Sequence, residues 1–309
     1  MKKTAFIFPG QGSQYVGMGK DFYDIYACSK EMIDLAANVS GLDMYHLLFE
    51  ENQELNITKY TQIAMLANEV SILKAVMEKG IHPHVTAGLS LGEYAALVAS
   101  KVLTPEDAFA LVVKRGAYME EAVPSGGAMH AILGLDTEII ENICEETPGI
   151  VSVANYNCPG QTVITGEEAA VEAASKAMKE AGARRCTALK VSGPFHSSML
   201  NDAGKKLEQE LADVEIHEIA IPYVSNVTAD YVTDRAQVRG LLTDQISSSV
   251  RWQQSVERMI ADGVEVFIEI GPKKSLTKFM KKINKDVLAY NVEKVEDLDA
   301  LLEQLNMQE

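Results

Sequence analysis

Short apolar runs alternate with stretches of helical spacing along most of the chain, and this alternation predicts an α/β protein. The first apolar run is Thr4 to Phe8, and another begins at His84 and ends in Gly88. Between them, from Gly17 to about Lys79, apolar residues recur with the period of a helix. Thr58 is placed there as a helix cap. Short strands separated by helices favour a parallel sheet with helices on both faces.

A second pattern begins at the break Pro124-Ser125-Gly126-Gly127. Its predicted elements are, in order, strand Ala128 to Leu135, helix Thr137 to Glu146, strand Ile150 to Asn157, strand Thr162 to Thr165, helix Glu167 to Ala181 and strand Cys186 to Val191. This order, βαββαβ, is typical of the ferredoxin-like arrangement. We therefore predict a small ferredoxin-like subdomain over residues 124–191, inserted into a large α/β subdomain formed by residues 1–123 and 192–309.

Helices and strands alternate again after the insertion. The predicted elements are helix Asn201 to Ala212, strand Ile219 to Ser225, helix Arg235 to Ser247, helix Trp252 to Ala261, strand Val264 to Ile270 and a final helix that ends at Ile283. Lysines make this final segment strongly basic, at Lys273, Lys274, Lys278, Lys281, Lys282 and Lys285. A solvated face is one interpretation of this segment, and the steering of an anionic partner is the other.

Composition and charge narrow the class of protein. Hydrophobic residues make up 47% of the chain and charged residues 23%, as in an ordinary soluble globular protein. No run approaches the ~18 apolar residues that a membrane span requires. The first apolar run ends at Pro9-Gly10, too early for a signal peptide, so the expected location is the cytoplasm. The net charge of −16 argues against nonspecific binding to nucleic acid or anionic membranes.

Neither a metal site nor a disulfide framework is expected. The four cysteines are widely scattered and form no C-x-x-C pair, which favours buried thiols. His82 and His84 flank Pro83, and no third ligand lies nearby, which favours a solvated turn over a zinc site. The loop Gly10-Gln11-Gly12 follows the first strand but lacks the spacing of a phosphate-binding loop.

The sequence Gly88-Leu89-Ser90-Leu91-Gly92 is a G-x-S-x-G motif with an apolar strand before it and a helix after it. A strand that turns directly into a helix forces its junction residue into strained geometry and needs small neighbours. Ser90 is then an exposed nucleophile at a helix N-terminus, where unpaired N–H groups favour negative charge. The backbone N–H groups of Leu91 and of Gln11, in the loop after the first strand, are candidate donors to an oxyanion.

A nucleophilic serine needs a base, and His196 is the best of the six histidines. It lies on a Gly-Pro-rich loop at the exit from the insertion. Arg115 lies on the apolar face of a helix that opens with Thr104-Pro105. A buried cation is costly unless it is paired, so Arg115 forms a structural salt bridge or binds a ligand carboxylate.

Gly10-Gln11-Gly12-Ser13-Gln14, the Ser90 motif, Arg115 and Gly193-Pro194-Phe195-His196 together resemble the malonyl-CoA:acyl carrier protein transacylases of bacterial fatty acid synthesis. The resemblance extends from Phe6 to about Ile283. It implies Ser90 as nucleophile, His196 as base, Gln11 and Leu91 as oxyanion donors, and Arg115 as partner of the malonyl carboxylate. It also implies that the backbone carbonyl of Gln245 orients His196 and that Phe195 belongs to the malonyl-selecting form of the family.

The activity implied by the resemblance is a ping-pong transfer of malonyl from malonyl-CoA to the phosphopantetheine thiol of acyl carrier protein, through a malonyl-serine. No cofactor is implied beyond these thioester substrates. The basic segment from Lys273 to Lys285 is the candidate docking surface for the carrier protein, and a monomer is expected.

Three alternatives stay open. A serine thioesterase or other hydrolase could use the same motif, although an α/β-hydrolase would place its histidine near the C-terminus, far beyond His196. An acyltransferase of a polyketide pathway would perform the same chemistry. A noncatalytic docking module for carrier proteins would need Ser90 and His196 to be vestigial.

Overall fold

The computed structural model describes residues 2–191 and 193–306. Within them, strands and helices alternate along the chain, as the apolar pattern predicts. The strands are β1 (Thr4–Phe8), β2 (Val85–Gly88), β3 (Gly127–Leu133), β4 (Val151–Cys158), β5 (Gln161–Glu167), β6 (Arg185–Ala188), β7 (Tyr223–Val224), β8 (Tyr231–Val232), β9 (Val266–Ile270) and β10 (Leu288–Val292).

The α-helices pack on the two sheets or on one another. They are α1 (Lys20–Ile25), α2 (Ala27–Ser40), α3 (Met44–Phe49), α4 (Thr58–Glu78), α5 (Gly92–Ala99), α6 (Pro105–Ala122), α7 (Thr137–Glu146), α8 (Glu168–Glu180), α9 (Asn201–Ala212), α10 (Val238–Gln245), α11 (Trp252–Ala261), α12 (Ser275–Ile283) and α13 (Val295–Asn306). Short 3₁₀ turns form at Glu54–Asn56, Ser198–Leu200 and Arg235–Gln237.

The larger sheet has the strand order β10-β9-β1-β2-β7-β8. All neighbours are parallel except β7 and β8. Along β1, Phe6 and Phe8 contribute to the apolar cluster on one face, and Ala5 and Ile7 to the cluster on the other. Burial on both faces explains why β1 reads as a continuous apolar run. The parallel pairing brings the carboxyl ends of β1, β2, β7 and β9 to one edge of the sheet.

The smaller sheet contains β3 to β6 in the order β4-β5-β3-β6, and every neighbouring pair is antiparallel. With α7 and α8 its element order is the predicted βαββαβ. Its own apolar cluster includes Ile132, Ile140 and Ile164. The backbone of β4 also bonds to the larger part of the chain, since Tyr156 N–H donates to the Val250 carbonyl over 2.9 Å.

Several predicted elements differ from the structure. Thr58 is the first residue of α4, with Ile57 in the cap position. The strand predicted from Ile219 to Ser225 shrinks to Tyr223–Val224, because Pro222 has no N–H with which to extend the pairing. The helix predicted from Arg235 begins with a 3₁₀ turn and ends at Gln245, before the predicted Ser247.

Strands β8 and β10 and helix α13 were not predicted from the sequence. Ser192, the predicted return point to the large subdomain, lies outside the described residues. Within the described ranges, no helix is both long and apolar enough to cross a membrane.

Candidate active site

Ser90 lies in the sharp turn between β2 and α5, with a φ of 54°. The flanking glycines are required by close backbone contacts. A Cβ on Gly88 would lie 1.9 Å from the carbonyl carbon of Gly92, and a Cβ on Gly92 would lie 2.3 Å from the Phe8 carbonyl oxygen. The turn therefore packs directly against the end of β1 and holds Ser90 at the carboxyl edge of the sheet.

The structure brings His196 to Ser90. Its Nε2 lies 2.8 Å from Ser90 Oγ, and its Nδ1 lies 2.9 Å from the Gln245 backbone carbonyl. A carbonyl can only accept, so Nδ1 carries the proton and Nε2 is free to accept the serine proton. Burial, reinforced by the nearby Arg115 charge, lowers the pKa of His196 to about 4. The imidazole is therefore a neutral base at physiological pH.

Arg115 lies on α6 and is only 1% exposed. One terminal nitrogen donates to Gln62 Oε1 over 2.7 Å, and the other donates to Gln245 Oε1 over 3.0 Å and to Ser90 Oγ over 3.2 Å. All three acceptors are neutral, and burial lowers the pKa of Arg115. A salt bridge to Arg115, the structural alternative, is not observed among residues 2–191 and 193–306. The charge is buried beside Ser90, and its two terminal nitrogens bond to neutral groups, whereas its Nε has no hydrogen-bond partner among the described residues.

Gln11 and Leu91 lie at the carboxyl ends of β1 and β2, on the loop after β1 and at the start of α5. In the described part of the chain, neither backbone N–H has a hydrogen-bond partner. The N–H of Ser90 differs, since it donates to Asn226 Oδ1 over 2.7 Å. The side chain of Gln11 is held by a 3.1 Å bond from its amide to Thr58 Oγ1.

A cavity of about 110 Å³ opens beside Ser90. Its lining includes every predicted site residue except Gln245. Gln245 does not line the cavity but bonds to two residues that do, Arg115 and His196. Phe195, with Met119 and Met129, forms part of its apolar wall. Asn155 of β4 also lines the cavity. The small sheet and the segment after β6, with Leu189 and Val191, therefore close one side of the site.

Three polar residues near the site were not identified from the sequence: Gln62, Glu93 and Asn226. Gln62 lies on α4, and a glutamine within an otherwise apolar helical stretch was the only signal that pointed to it. Glu93 is completely buried, and desolvation raises its pKa to about 7. Asn226 begins the turn after β7, the strand beside β2. Sites in α/β proteins lie at the carboxyl ends of parallel strands, so its position after β7 was the signal that could have identified it.

The basic segment from Lys273 to Lys285 includes α12 and starts at the same sheet edge. Lys273 Nζ donates to the Gly12 carbonyl over 3.2 Å, and Lys282 Nζ lies 3.4 Å from Gln161 of the small sheet. Lys278 and Lys281 are exposed. Within the described residues, no group of three or more His, Cys, Asp or Glu side chains is placed to hold a metal ion.

The family described as acyl transferase domain matches residues 5–299. The malonyl CoA-acyl carrier protein transacylase of Bacillus subtilis is 43% identical over 99% of this chain and 98% of its own. The crystal structure of the corresponding Clostridium perfringens transacylase is 43% identical and superposes with a TM-score of 0.96, over 99% of this chain and 98% of that one.

A malonyl-transacylase solved in complex with a type II PKS acyl-carrier protein is 40% identical, with a TM-score of 0.95 over 98% of this chain and 100% of that one. Both the sequence and the structural similarity extend over nearly the entire chain. The protein therefore belongs to the acyl transferase domain family and, within it, to the malonyl-CoA:acyl carrier protein transacylases.

Proposed function

We propose that the protein transfers malonyl from malonyl-CoA to the phosphopantetheine thiol of acyl carrier protein by a ping-pong mechanism with a serine-histidine dyad. One observation carries the proposal. Ser90 Oγ lies within hydrogen-bond distance of a neutral histidine on one side and of a buried arginine on the other. A nucleophile, a base and a cation that can bind a free carboxylate thus meet in one small cavity.

In the first half-reaction, Ser90 Oγ attacks the thioester carbonyl while its proton passes to His196 Nε2. The C–S bond then breaks, coenzyme A leaves as the thiol after taking that proton, and malonyl remains as an ester of Ser90. Because the Gln245 carbonyl stabilises the protonated ring at Nδ1, no acidic third residue is needed.

In the second half-reaction, the phosphopantetheine thiol of the carrier protein takes the place of coenzyme A. His196 Nε2 accepts the thiol proton, sulfur attacks the ester carbonyl, and the C–O bond to Ser90 breaks with return of the proton to Oγ. Ser90 and His196 are then restored for another cycle. The chemistry needs no metal or prosthetic group.

Negative charge develops on the carbonyl oxygen in both tetrahedral intermediates. The unpartnered N–H groups of Gln11 and Leu91 are the proposed donors to this oxyanion. They are preorganised by the ends of β1 and β2, so they need not reorient during the reaction. Loss of one such donor typically slows a reaction about 10²- to 10³-fold.

Arg115 is the proposed selector of the acyl group. The terminal nitrogen that donates to Ser90 Oγ and Gln245 Oε1 can donate instead to one oxygen of the malonyl carboxylate, and a neighbouring guanidinium nitrogen can bind the second oxygen. A neutral acetyl group offers no such partner to the buried charge. Phe195, in the wall of the same cavity, limits the size of the group that fits beside it.

A polyketide carrier is the second candidate acceptor, because a relative with 40% identity has been solved in complex with a type II PKS acyl-carrier protein. The two pathways use the same chemistry on malonyl, so the site itself does not distinguish them. Hydrolysis is the competing reaction, and it depends on whether water reaches the malonyl-serine before a thiol does.

The same proposal extends to the organisation of the chain. The large sheet with its helices corresponds to a hydrolase-like catalytic subdomain over residues 1–123 and 192–309. Residues 124–191 form the inserted ferredoxin-like subdomain. The basic segment from Lys273 to Lys285 is the proposed docking surface for the carrier, and the functional unit is a monomer.

Intact-protein mass spectrometry tests the function directly. The protein is mixed with malonyl-CoA, in parallel with Ser90→Ala, and carrier protein bearing phosphopantetheine is then added. We expect a malonyl adduct on the native protein only, and its transfer to the carrier. Release of the adduct as free malonate, whether or not carrier is present, would identify a hydrolase. Absence of any adduct would refute the role of Ser90.

A further inference from the structure

We propose that Asn226 is a positioning residue for the nucleophile: its side-chain amide spans the Ser90 turn and holds it in the strained conformation that acyl transfer requires. The inference rests on the proposed function, since it assumes that Ser90 is acylated. Asn226 belongs to none of the motifs described above and lies 136 residues from Ser90 in the chain.

The two ends of the Asn226 amide bind opposite sides of the turn. Oδ1 accepts from the Ser90 N–H over 2.7 Å, and Nδ2 donates to the Gly88 carbonyl over 2.6 Å. These are the backbone groups on either side of Leu89. Together the two bonds fix the separation and orientation of residues 88 and 90, so that a single planar side chain defines the turn.

Ser90 needs this support because it is not glycine. A residue other than glycine at a φ of 54° is strained and keeps that conformation only when its surroundings enforce it. The bond to Asn226 also occupies the Ser90 N–H, which would otherwise be an orphan donor at the start of α5. The next N–H in the chain, that of Leu91, is left as the donor available to an oxyanion.

Asn226 is itself fixed from both backbone sides. Its N–H donates to Glu93 Oε2 over 3.3 Å, and its carbonyl accepts from the Arg251 N–H over 3.0 Å. It is 1% exposed, so water does not compete for these bonds. The amide is thus held by the scaffold before it contacts Ser90, as a positioning group must be.

Gln245 binds the other side of Ser90, and the side chains of Asn226 and Gln245 together form a clamp on this residue. Its Nε2 donates to the Ser90 carbonyl over 2.9 Å and to Glu93 Oε2 over 2.6 Å. Asn226 therefore binds the N–H of Ser90, Gln245 binds its carbonyl, and both meet at the same oxygen of Glu93. Because Gln245 also binds Arg115 and His196, the clamp aligns the serine with its base and its cation.

The test uses Asn226→Leu, which has a similar volume and no hydrogen bonds, with Asn52→Leu as the matched control. Asn52 also bonds through both ends of its amide, to Leu47 and Leu55, and none of these three residues lines the cavity beside Ser90. Two rates are measured: acylation by malonyl-CoA in a single turnover, and modification of Ser90 by phenylmethylsulfonyl fluoride, which carries no malonyl group.

For Asn226→Leu we expect both rates to fall about 10- to 100-fold, because a small displacement of the nucleophile is enough to cost that much. The KM for malonyl-CoA should stay within about twofold, because Arg115 and the cavity wall are intact. Asn52→Leu should lower the unfolding temperature and leave both rates nearly unchanged. Rates in Asn226→Leu that match those of the control would overturn the proposal.

If Asn226→Leu does not fold, Asn226→Ser replaces it. The serine side chain has one polar atom in place of two and cannot hold Ser90 and Gly88 from opposite ends, so the same loss of rate is expected, and an unchanged rate overturns the proposal. The sulfonyl reagent distinguishes failure of the proposed malonyl transfer from failure of the proposed role of Asn226. A native protein that reacts with it but never with malonyl-CoA would refute the proposed function and leave the role of Asn226 to be decided by the variant.

Discussion

The protonation state of His196 follows from its surroundings. It is 4% exposed, and its ring lies between Ser90 and a backbone carbonyl, with Arg115 close by. None of these neighbours is an anion that would stabilise imidazolium. Desolvation and the arginine charge therefore both disfavour the protonated ring and keep the imidazole neutral.

The pH dependence of acylation tests this environment. With the pKa of His196 near 4, kcat/KM should stay within about twofold from neutral pH down to about pH 5. A histidine with an ordinary pKa of about 6.5 would already have lost about tenfold at about pH 5.5. Rapid-quench measurement of malonyl-serine formation gives the profile, and a midpoint near pH 6.5 would contradict the assignment.

Two controls belong to that experiment. The carboxyl of Glu93, with a pKa raised to about 7, titrates in the same range, so the profile is repeated in Glu93→Gln. Stability is followed as well. Because the pKa of His196 is lowered on folding, its contribution to stability is complete above about pH 6.5 and is lost as the pH falls toward 4. Circular dichroism therefore distinguishes loss of the base from loss of the fold.

Selection of the acyl group by Arg115 is tested by substitution. In Arg115→Ala we expect kcat/KM for malonyl-CoA to fall by about 100-fold or more, with a much smaller loss for acetyl-CoA, because only malonyl has a carboxylate for the guanidinium. Arg115→Lys keeps the charge but not the planar fork of the guanidinium. Its kcat/KM for malonyl-CoA should therefore lie between those of the native protein and of Arg115→Ala. Equal losses for malonyl and acetyl would show that Arg115 supports the site without selecting the substrate.

At the scale of the element, close backbone packing supports the serine turn in addition to the Asn226 side chain. A Cβ on Gly88 would overlap the backbone of Gly92 and Glu93, and no rotamer change can relieve that contact. We expect Gly88→Ala to lower the free energy of unfolding by about 3 kcal/mol or more. Denaturant unfolding measures the change.

The matched control is Gly240→Ala. Gly240 lies inside α10 with open space around the position of its missing Cβ. Alanine there should raise stability by about 0.5 to 1 kcal/mol, as expected for a glycine in a helix interior. Similar small effects at both positions would mean that the turn can relax around a larger residue.

Elements with local signals were predictable from the sequence. Helices α7, α9 and α11 begin and end at the predicted residues, because their amphipathic spacing is clear and, for α7, the Asp136 side chain caps the first turn. Strand β10 gave no such signal: it lies beside β9 alone and is mostly half-buried. Its pairing partner is specified by the fold and not by neighbours in the chain.

The residues of the candidate site also differ in whether neighbouring residues in the sequence reveal them. Ser90 stands in a motif whose residues are adjacent, so its place in a strand-to-helix turn could be predicted. Asn226 and Gln62 act through contacts with residues far away in the chain, which exist only once β2 pairs with β7 and α4 packs against α6. Periodicity and spacing carry no information about such contacts.

At the scale of the whole molecule, charge is distributed unevenly. The chain has a net charge of −16, yet lysines are concentrated between Lys273 and Lys285 at one side of the site. Substrates that carry phosphate, as coenzyme A and the phosphopantetheine arm do, are repelled by the molecule as a whole and attracted by this segment. Such a field acts mainly on the rate of encounter.

Reversal of two of these charges tests the docking surface. In Lys278→Glu combined with Lys281→Glu, the enzyme is first loaded with malonyl and then mixed with carrier protein. We expect the second-order rate of transfer to fall about tenfold at low salt, and the difference from the native protein to narrow as salt screens the charges. Loading before mixing separates the carrier step from any effect on malonyl-CoA.

Lys79→Glu combined with Lys101→Glu provides the same change in net charge at the opposite edge of the sheet. Lys79 follows α4, just before β2 begins, and Lys101 follows α5, which leads away from Ser90. If local attraction by α12 controls docking, this pair should leave transfer within about twofold of the native rate. Equal slowing by both pairs would mean that the carrier responds to net charge alone, and the docking surface would then have to be sought elsewhere on the protein.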